Sequence, residues 1–179
     1  MKNAIILHGT GTKNTEFWFP YLKKNLEEKG FEVWLPQLPN DETPNIKEWL
    51  PFVLENWRFT TETVLIGHSA GSQLILSILE KINVKIKQAV LVSGYAESLR
   101  ENPDSGNKPV LDWRKIKENV QDIIFINSDN DPWGCNDTQG KIMFDKLGGT
   151  QIIRNGEGHM GSTTYNQPYK EFPFLAKLI

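Results

Sequence analysis

Disulfides, membrane-spanning helices and nucleic-acid binding are each disfavoured by something this sequence lacks. A single cysteine, Cys135, stands in 179 residues, so no internal disulfide can form and nothing requires an oxidising compartment. No apolar run approaches the roughly 18 residues that a membrane-spanning helix needs. The apolar stretch at positions 4–7 runs straight into His8-Gly9 and is too short for a signal peptide; a cytoplasmic location is expected. Twenty Lys and Arg face 22 Asp and Glu, whereas nucleic-acid binders usually carry a basic excess or a basic stripe. Histidine is scarce as well. Three histidines in separate motifs, with one cysteine, offer no spacing like that of a zinc site, and neither a metal nor an organic cofactor is expected.

What is present is ordinary globular composition, 39% hydrophobic and 23% charged, in a length close to that of one domain. A single domain over 1–179 is therefore expected. Short β-rich apolar runs at 4–7, 31–35, 63–66, 88–92, 123–126 and 151–153 alternate with helix-period segments near 15–29, 46–58, 70–82, 112–119, 136–147 and 168–177. Several runs are apolar at consecutive positions, as strands buried on both faces are. In 70–82, Leu74, Ile75, Ile78, Leu79 and Ile82 fall on one helical stripe. The first helical segment puts Trp18, Leu22 and Leu26 on one face and pairs Lys23 with Glu27 and Lys24 with Glu28 on the other, with Gly30 as its stop. Such alternation predicts an α/β fold, a three-layer sandwich of about six mostly parallel strands with right-handed crossovers and helices on both faces. The polar interval 97–108 reads as a surface loop, too short for a second domain. With only about 27 residues between Val92 and Val120, a large cap is not expected and the site should be open and shallow.

In an open α/β sheet, ligands bind beyond the carboxyl ends of the strands. After the run 63–66 comes Gly67-His68-Ser69-Ala70-Gly71, a match to the G-x-S-x-G nucleophile elbow. A sharp strand-to-helix turn holds the central serine in a strained conformation, and the small residues two positions either side let strand and helix approach closely. Ser69 is then lifted above the sheet at a helix N-terminus, where free N–H groups favour a developing oxyanion. The competing reading is a glycine-flanked serine that only caps a helix.

A serine nucleophile needs a base. His68 neighbours Ser69, and in an elbow its side chain points away from the hydroxyl. His8, closing the first strand, is better suited to ordering its loop through hydrogen bonds. His159, in Gly156-Glu157-Gly158-His159-Met160-Gly161 after the last strand, is the candidate base, since glycine-rich backbone there can carry an exposed imidazole. A carboxylate should lie between them in the order Ser…Asp…His. Asp129 and Asp131 in Asn127-Ser128-Asp129-Asn130-Asp131-Pro132 both qualify. Asp131 is favoured because the following proline restricts its backbone, while Asp129 suits an ordinary turn residue. Glu97, Glu101 and Asp104 belong to the polar loop and should be solvated.

The loop Gly9-Thr10-Gly11-Thr12-Lys13 matches neither G-x-x-x-x-G-K-[ST] nor G-x-G-x-x-G, which counts against a nucleotide-binding domain. In an elbow enzyme this loop supplies one oxyanion N–H and the residue after the nucleophile the other. That assigns Ala70, with Thr10 as its partner and Gly9 or Gly11 as neighbouring candidates. Phe17, Trp18, Trp133 and Met160 flank these segments and are candidates to line an apolar acyl pocket, with core packing as the alternative.

Taken together, His8-Gly9-Thr10-Gly11, Trp18-Phe19-Pro20-Tyr21-Leu22, Gly67-His68-Ser69-Ala70-Gly71, Ser128-Asp129-Asn130-Asp131-Pro132 and Gly158-His159 resemble the small α/β-hydrolases related to retinoblastoma-binding protein 9. The resemblance spans essentially the whole chain. It implies an α/β-hydrolase fold without a large cap and a serine hydrolase with Ser69 as nucleophile, Asp131 as acid and His159 as base. The L-x-C-x-E segment associated with the family's protein-binding role is absent, because Cys135 is flanked by Trp133-Gly134 and Asn136-Asp137; no such protein partner is carried over. The expected substrate is a small ester or related acyl compound. The alternative is a protein-interaction module on the same scaffold with little turnover, compatible with six tryptophans and 11% aromatic residues.

Overall fold

Residues 1–96 and 111–179 are described by the computed structural model; the interval 97–108, with Glu97, Glu101 and Asp104, lies outside them. In chain order the elements are β1 (Asn3–Leu7), α1 (Phe19–Glu28), β2 (Glu32–Trp34), α2 (Ile46–Asn56), β3 (Thr63–His68), α3 (Ala70–Lys81), β4 (Ile86–Val92), α4 (Trp113–Glu118), β5 (Val120–Ser128), α5 (Asp137–Leu147), β6 (Thr150–Arg154) and α6 (Pro173–Leu178). The strands form one sheet in the order β2-β1-β3-β4-β5-β6, parallel throughout.

The core explains why the apolar runs are continuous. Ile5, Leu7 and Leu65 pack on one face with Trp49, Val53, Leu74, Ile75, Ile78, Ile116 and Met143, from α2 to α5. Ala4, Ile6, Val64, Ile66, Val90 and Val92 face the other way, against Trp18, Phe19, Leu22, Leu26 and Leu175 around α1 and α6. Successive side chains point to opposite faces, so a strand covered on both sides needs apolar residues at every position. The result is the three-layer α/β-hydrolase arrangement.

Element ends depart furthest from the periodicity at two helix starts. α1 starts at Phe19 rather than near 15, because Phe17 adopts φ 49° and Pro20 stands in the first turn. α6 starts at Pro173, after Tyr169 at φ 37°. Positive φ for a bulky residue is incompatible with helix continuation, and proline is tolerated at a helix start. Side chains of Asn45, Asp112 and Asn136 accept backbone N–H groups at the starts of α2, α4 and α5, each cap contributing about 1 kcal/mol. Among the described residues no helix is long and apolar enough to cross a membrane.

Chain direction across the sheet reverses between β1 and β3. From β1 the chain moves outward to β2 and then returns past β1 to β3, leaving a crevice beyond the carboxyl ends of these neighbours. The Gly9 loop and Ser69 leave their strands at this crevice.

Candidate active site

Close packing dictates the turn around Ser69. A Cβ on Gly67 would stand 2.6 Å from the Gly71 carbonyl oxygen, and one on Gly71 only 2.3 Å from the Leu7 carbonyl oxygen and 2.7 Å from that of His8. Both contacts are with backbone, so glycine is required on each side of the serine. Ser69 itself has φ 54° and ψ −119° and makes no side-chain capping bond to α3. A capping serine would use its hydroxyl on the helix; this one keeps it free of that duty in a strained backbone. The Ser72 hydroxyl donates to the Gly67 carbonyl at 2.8 Å and ties the start of α3 to β3. Ala70 opens the helix, so its N–H has no intrahelical acceptor.

The loops after β5 and β6 meet through Asp131 and His159. Asp131 Oδ2 accepts a hydrogen bond from His159 Nδ1 at 2.7 Å, with the aspartate side chain fully buried. Its Oδ1 accepts the Trp133 backbone N–H at 2.8 Å. The His159 main chain is held as firmly: its N–H donates to Gln167 Oε1 at 2.9 Å, and its carbonyl accepts from His68 Nε2 at 2.8 Å and Ser93 Oγ at 2.9 Å. The tight path of this loop uses positive φ at Gly156, Gly158, Met160 and Gly161. Asp129 does something else. It is exposed and accepts from the Gly156 N–H at 2.8 Å and from the Asn155 amide, bonds that hold its carboxyl below the usual range. Asp129 thus fastens the loop that carries His159, while Asp131 meets the imidazole.

The other two histidines are buried and structural in their contacts. His8 Nδ1 donates to the Gly9 carbonyl at 2.9 Å, and its Nε2 accepts the Leu38 N–H at 2.9 Å. Burial lowers its pKa. His68 lies among the rings of Phe17, Trp18, Phe19 and His159, and burial, followed by the neighbouring His159, pushes its pKa down to about 3. An unfolded histidine titrates near 6.5, so between these values the unfolded chain binds the extra proton and the folded chain does not. Stability is therefore complete above pH ~6.5 and falls as the pH drops toward ~3. His68 alone is expected to cost about 2 kcal/mol of stability between pH ~7 and ~5. Urea midpoints at the two pH values check this: His68→Asn should flatten the pH dependence, and an unchanged slope would contradict it.

Cys135 is a site neighbour that sequence reasoning passed over. It is buried, and burial, followed by the Asp131 charge, raises its thiol pKa against the opposing effect of the nearby Ser69 side chain. Ligand atoms of Asp131, Cys135 and His159 all lie within 4.8 Å of one another. The available signal was position: Cys135 follows Asp131 by four residues in the same loop beyond a strand.

The structure corrects the expected pocket. Trp18 and Met160 are 0% exposed and Phe17 is 7% exposed, so these three support the site from the core instead of lining it. Trp18 Nε1 donates to the Met160 carbonyl at 2.9 Å, and Phe17 fills the space where a Gly161 Cβ would be. Apolar rings beneath a glycine-rich loop are drawn inward because they gain more from burial than from water contact. Trp133 alone of the four is exposed, at 46%. Its ring centroid is 6.5 Å from that of His159 and 5.2 Å from that of Tyr165. Two clefts, of about 250 and 400 Å³, open at the amino ends of the strands, the first beside Asn3 and Trp57 and the second beside Val64 and Asp122, away from Ser69.

Comparison with known proteins identifies the family. The profile of a family described as serine hydrolase matches residues 4–177. The protein YdeN of Bacillus subtilis is 32% identical over 135 residues, covering 73% of this chain and 71% of that protein. Serine hydrolase RBBP9 of Rattus norvegicus is 27% identical over 171 residues, 92% of this chain and 90% of its own. Among solved structures, the B. subtilis ydeN gene product superposes with a TM-score of 0.86 at 24% identity, covering 99% of this chain and 96% of that one. Est1E from Butyrivibrio proteoclasticus, solved with ferulic acid bound, gives 0.73 at 14% identity over 100% and 90%; both structural likenesses speak to the fold. With the family profile spanning nearly the whole sequence, this chain belongs to the serine hydrolase family.

Proposed function

We propose that Ser69, His159 and Asp131 form a catalytic triad that cleaves small ester or related acyl substrates through an acyl-enzyme. The observation that carries this is the buried 2.7 Å bond between Asp131 and His159, presented at the same end of the sheet as Ser69 in its strained turn. Ser69 Oγ attacks the acyl carbon and His159 Nε2 takes its proton, while Asp131 keeps the other proton on Nδ1 and offsets the charge formed. His159 then protonates the departing alcohol. Water, activated by the same imidazole, attacks the acyl-serine and frees the acid.

The oxyanion is assigned to the backbone N–H groups of Ala70 and Thr10. Gly11 is a poorer donor because its N–H already binds the Asp41 carbonyl at 2.8 Å. His8 holds the Gly9 carbonyl, and in a trans peptide the following N–H points the opposite way, so fixing that carbonyl also fixes the Thr10 N–H. Trp133 lines the entrance on the acyl or alcohol side. The substrate is a small molecule, with neither nucleic acid nor a membrane as partner, and the charge balance and single cysteine support a cytoplasmic location.

A fluorophosphonate probe tests the nucleophile. The wild-type protein should be labelled stoichiometrically with loss of esterase activity, and Ser69→Ala should take up no label; labelling that survives this change would remove Ser69 from the role. Absence of both labelling and turnover in the wild type would favour an interaction module on a hydrolase scaffold. Because the interval between Val92 and Val120 is short for a large cap, p-nitrophenyl acetate and butyrate should be cleaved with higher kcat/KM than long-chain esters. Higher efficiency on long chains would reject the open site.

A further inference from the structure

We propose that Asp131, Cys135 and His159 form a binding site for a thiophilic divalent metal ion such as zinc, and that occupation reversibly switches off the hydrolase. Loss of activity rests on the triad proposed above; metal binding itself does not. Carboxylate, thiol and imidazole converge here within 4.8 Å, from two loops that the register of β5 on β6 brings side by side. The Cys135 segment is held in place, since the Asn127 amide donates to the Cys135 carbonyl at 2.8 Å and to that of Gly94 at 2.9 Å.

The donor set selects the metal. One thiolate, one imidazole and one carboxylate suit zinc, cadmium or cobalt, and not magnesium or calcium, which prefer oxygen alone. Zinc bonds of about 2.3 Å to sulfur and 2.0–2.2 Å to nitrogen and oxygen separate tetrahedral ligand atoms by roughly 3.3–3.6 Å. Asp131 Oδ2 and His159 Nδ1, now 2.7 Å apart, must open by about half an ångström to meet that spacing. Cys135 Sγ lies within 4.8 Å of a carboxylate oxygen of Asp131 and of a ring nitrogen of His159, so reaching that spacing takes an approach of about 1.5 Å or less. The Ser69 side chain, close enough to the thiol to influence its ionisation, borders the fourth position.

Protons account for the inhibition. In the metal-free protein the proton between Asp131 and His159 sits on Nδ1 and leaves Nε2 free as a base. The incoming ion takes the lone pair at Nδ1, so the imidazole proton moves to Nε2. Cys135 releases its thiol proton to solvent and binds as thiolate, one proton leaving for each ion bound. Histidine with its proton on Nε2 cannot accept the serine proton, and Asp131, bound to metal, no longer orients the ring.

Binding is read without turnover in the Ser69→Ala protein, which keeps all three ligands. Cobalt(II) titration should raise a thiolate-to-cobalt charge-transfer band saturating at one equivalent, and adding Cys135→Ala or Cys135→Ser should remove it. In the Ser69 enzyme, zinc chloride should inhibit ester hydrolysis and a chelator should restore it. Cys135→Ala should raise the half-inhibitory zinc concentration by about tenfold or more, relative to its own zinc-free rate. No cobalt band in the Ser69→Ala protein, a band indifferent to Cys135, equal inhibition of the Cys135→Ala enzyme, or activation by zinc would each overturn the proposal. A Cys135-dependent band in a protein without esterase activity would uphold metal binding and sink the triad instead.

Discussion

Asp131→Asn is expected to lower kcat by about 10³–10⁴-fold while leaving the thermal unfolding midpoint nearly unchanged. The magnitude follows from which oxygen does what. Oδ1 of Asp131 accepts the Trp133 backbone N–H and Oδ2 accepts His159 Nδ1. An asparagine must keep its single carbonyl oxygen on the Trp133 N–H, which leaves its NH₂ facing the imidazole. Nδ1 then becomes an acceptor, the ring proton moves to Nε2, and the base is lost along with the counter-charge. Asp129→Asn supplies the contrast, because Asp129 meets Gly156 and Asn155 and not the imidazole. It should cost about tenfold or less in kcat and shift the thermal midpoint only slightly, as expected of an exposed carboxylate. Steady-state kinetics of the two variants, with circular dichroism melts, decide between the aspartates; a crippled Asp129→Asn beside an active Asp131→Asn would reverse the assignment.

Gly71→Ala should be the most damaging single-methyl change in the turn from β3 to α3. The added Cβ would sit 2.3 Å from the Leu7 carbonyl oxygen and 2.7 Å from that of His8, backbone atoms at the end of a central strand that cannot retreat. Relief requires α3 to lift away from β1, opening the seam where Leu7 packs with Leu74 and Ile75. A cost of about 3 kcal/mol or more is expected, enough to remove a large part of a domain's stability. Guanidinium unfolding curves measure it. Gly30→Ala is the control, since nothing stands within 4 Å of its Cβ and only its φ of 83° is unfavourable; its cost should stay near 1 kcal/mol. A Gly71→Ala protein as stable as the control would mean that α3 does not seat against β1 as described.

These two variants mark where local information ends. Gly67 and Gly71 are legible in the sequence because the constraint is local: a strand turning at once into a helix around a strained serine needs small residues two positions away. The six strands and six helices are legible for a related reason. Burial on both faces writes a continuous apolar run, and one-sided burial writes a helical stripe, each within a dozen contiguous residues. Their ends are less so, since the positive φ of Phe17 and Tyr169 is imposed by tertiary packing on residues that do not favour it.

By itself, then, the sequence determined the α/β alternation, the elbow at Ser69 and a shortlist of polar residues beyond strand ends. Only the tertiary structure decided among them. Asp129 and Asp131 differ by two positions in one turn, yet the register of Ser128 against Arg154 brings the first beside Gly156 and the second beside His159. Trp18 and Met160 are as apolar as any pocket residue, and it is the layer beneath the His159 loop that buries them. Cys135 carries no sequence sign of proximity to Ser69 beyond its place in the loop; the contact arises because β3, β4 and β5 end side by side. Periodicity and turn sterics act between neighbours in the chain, whereas the partners of a carboxylate, an imidazole and a thiol are chosen by where parallel strands stop.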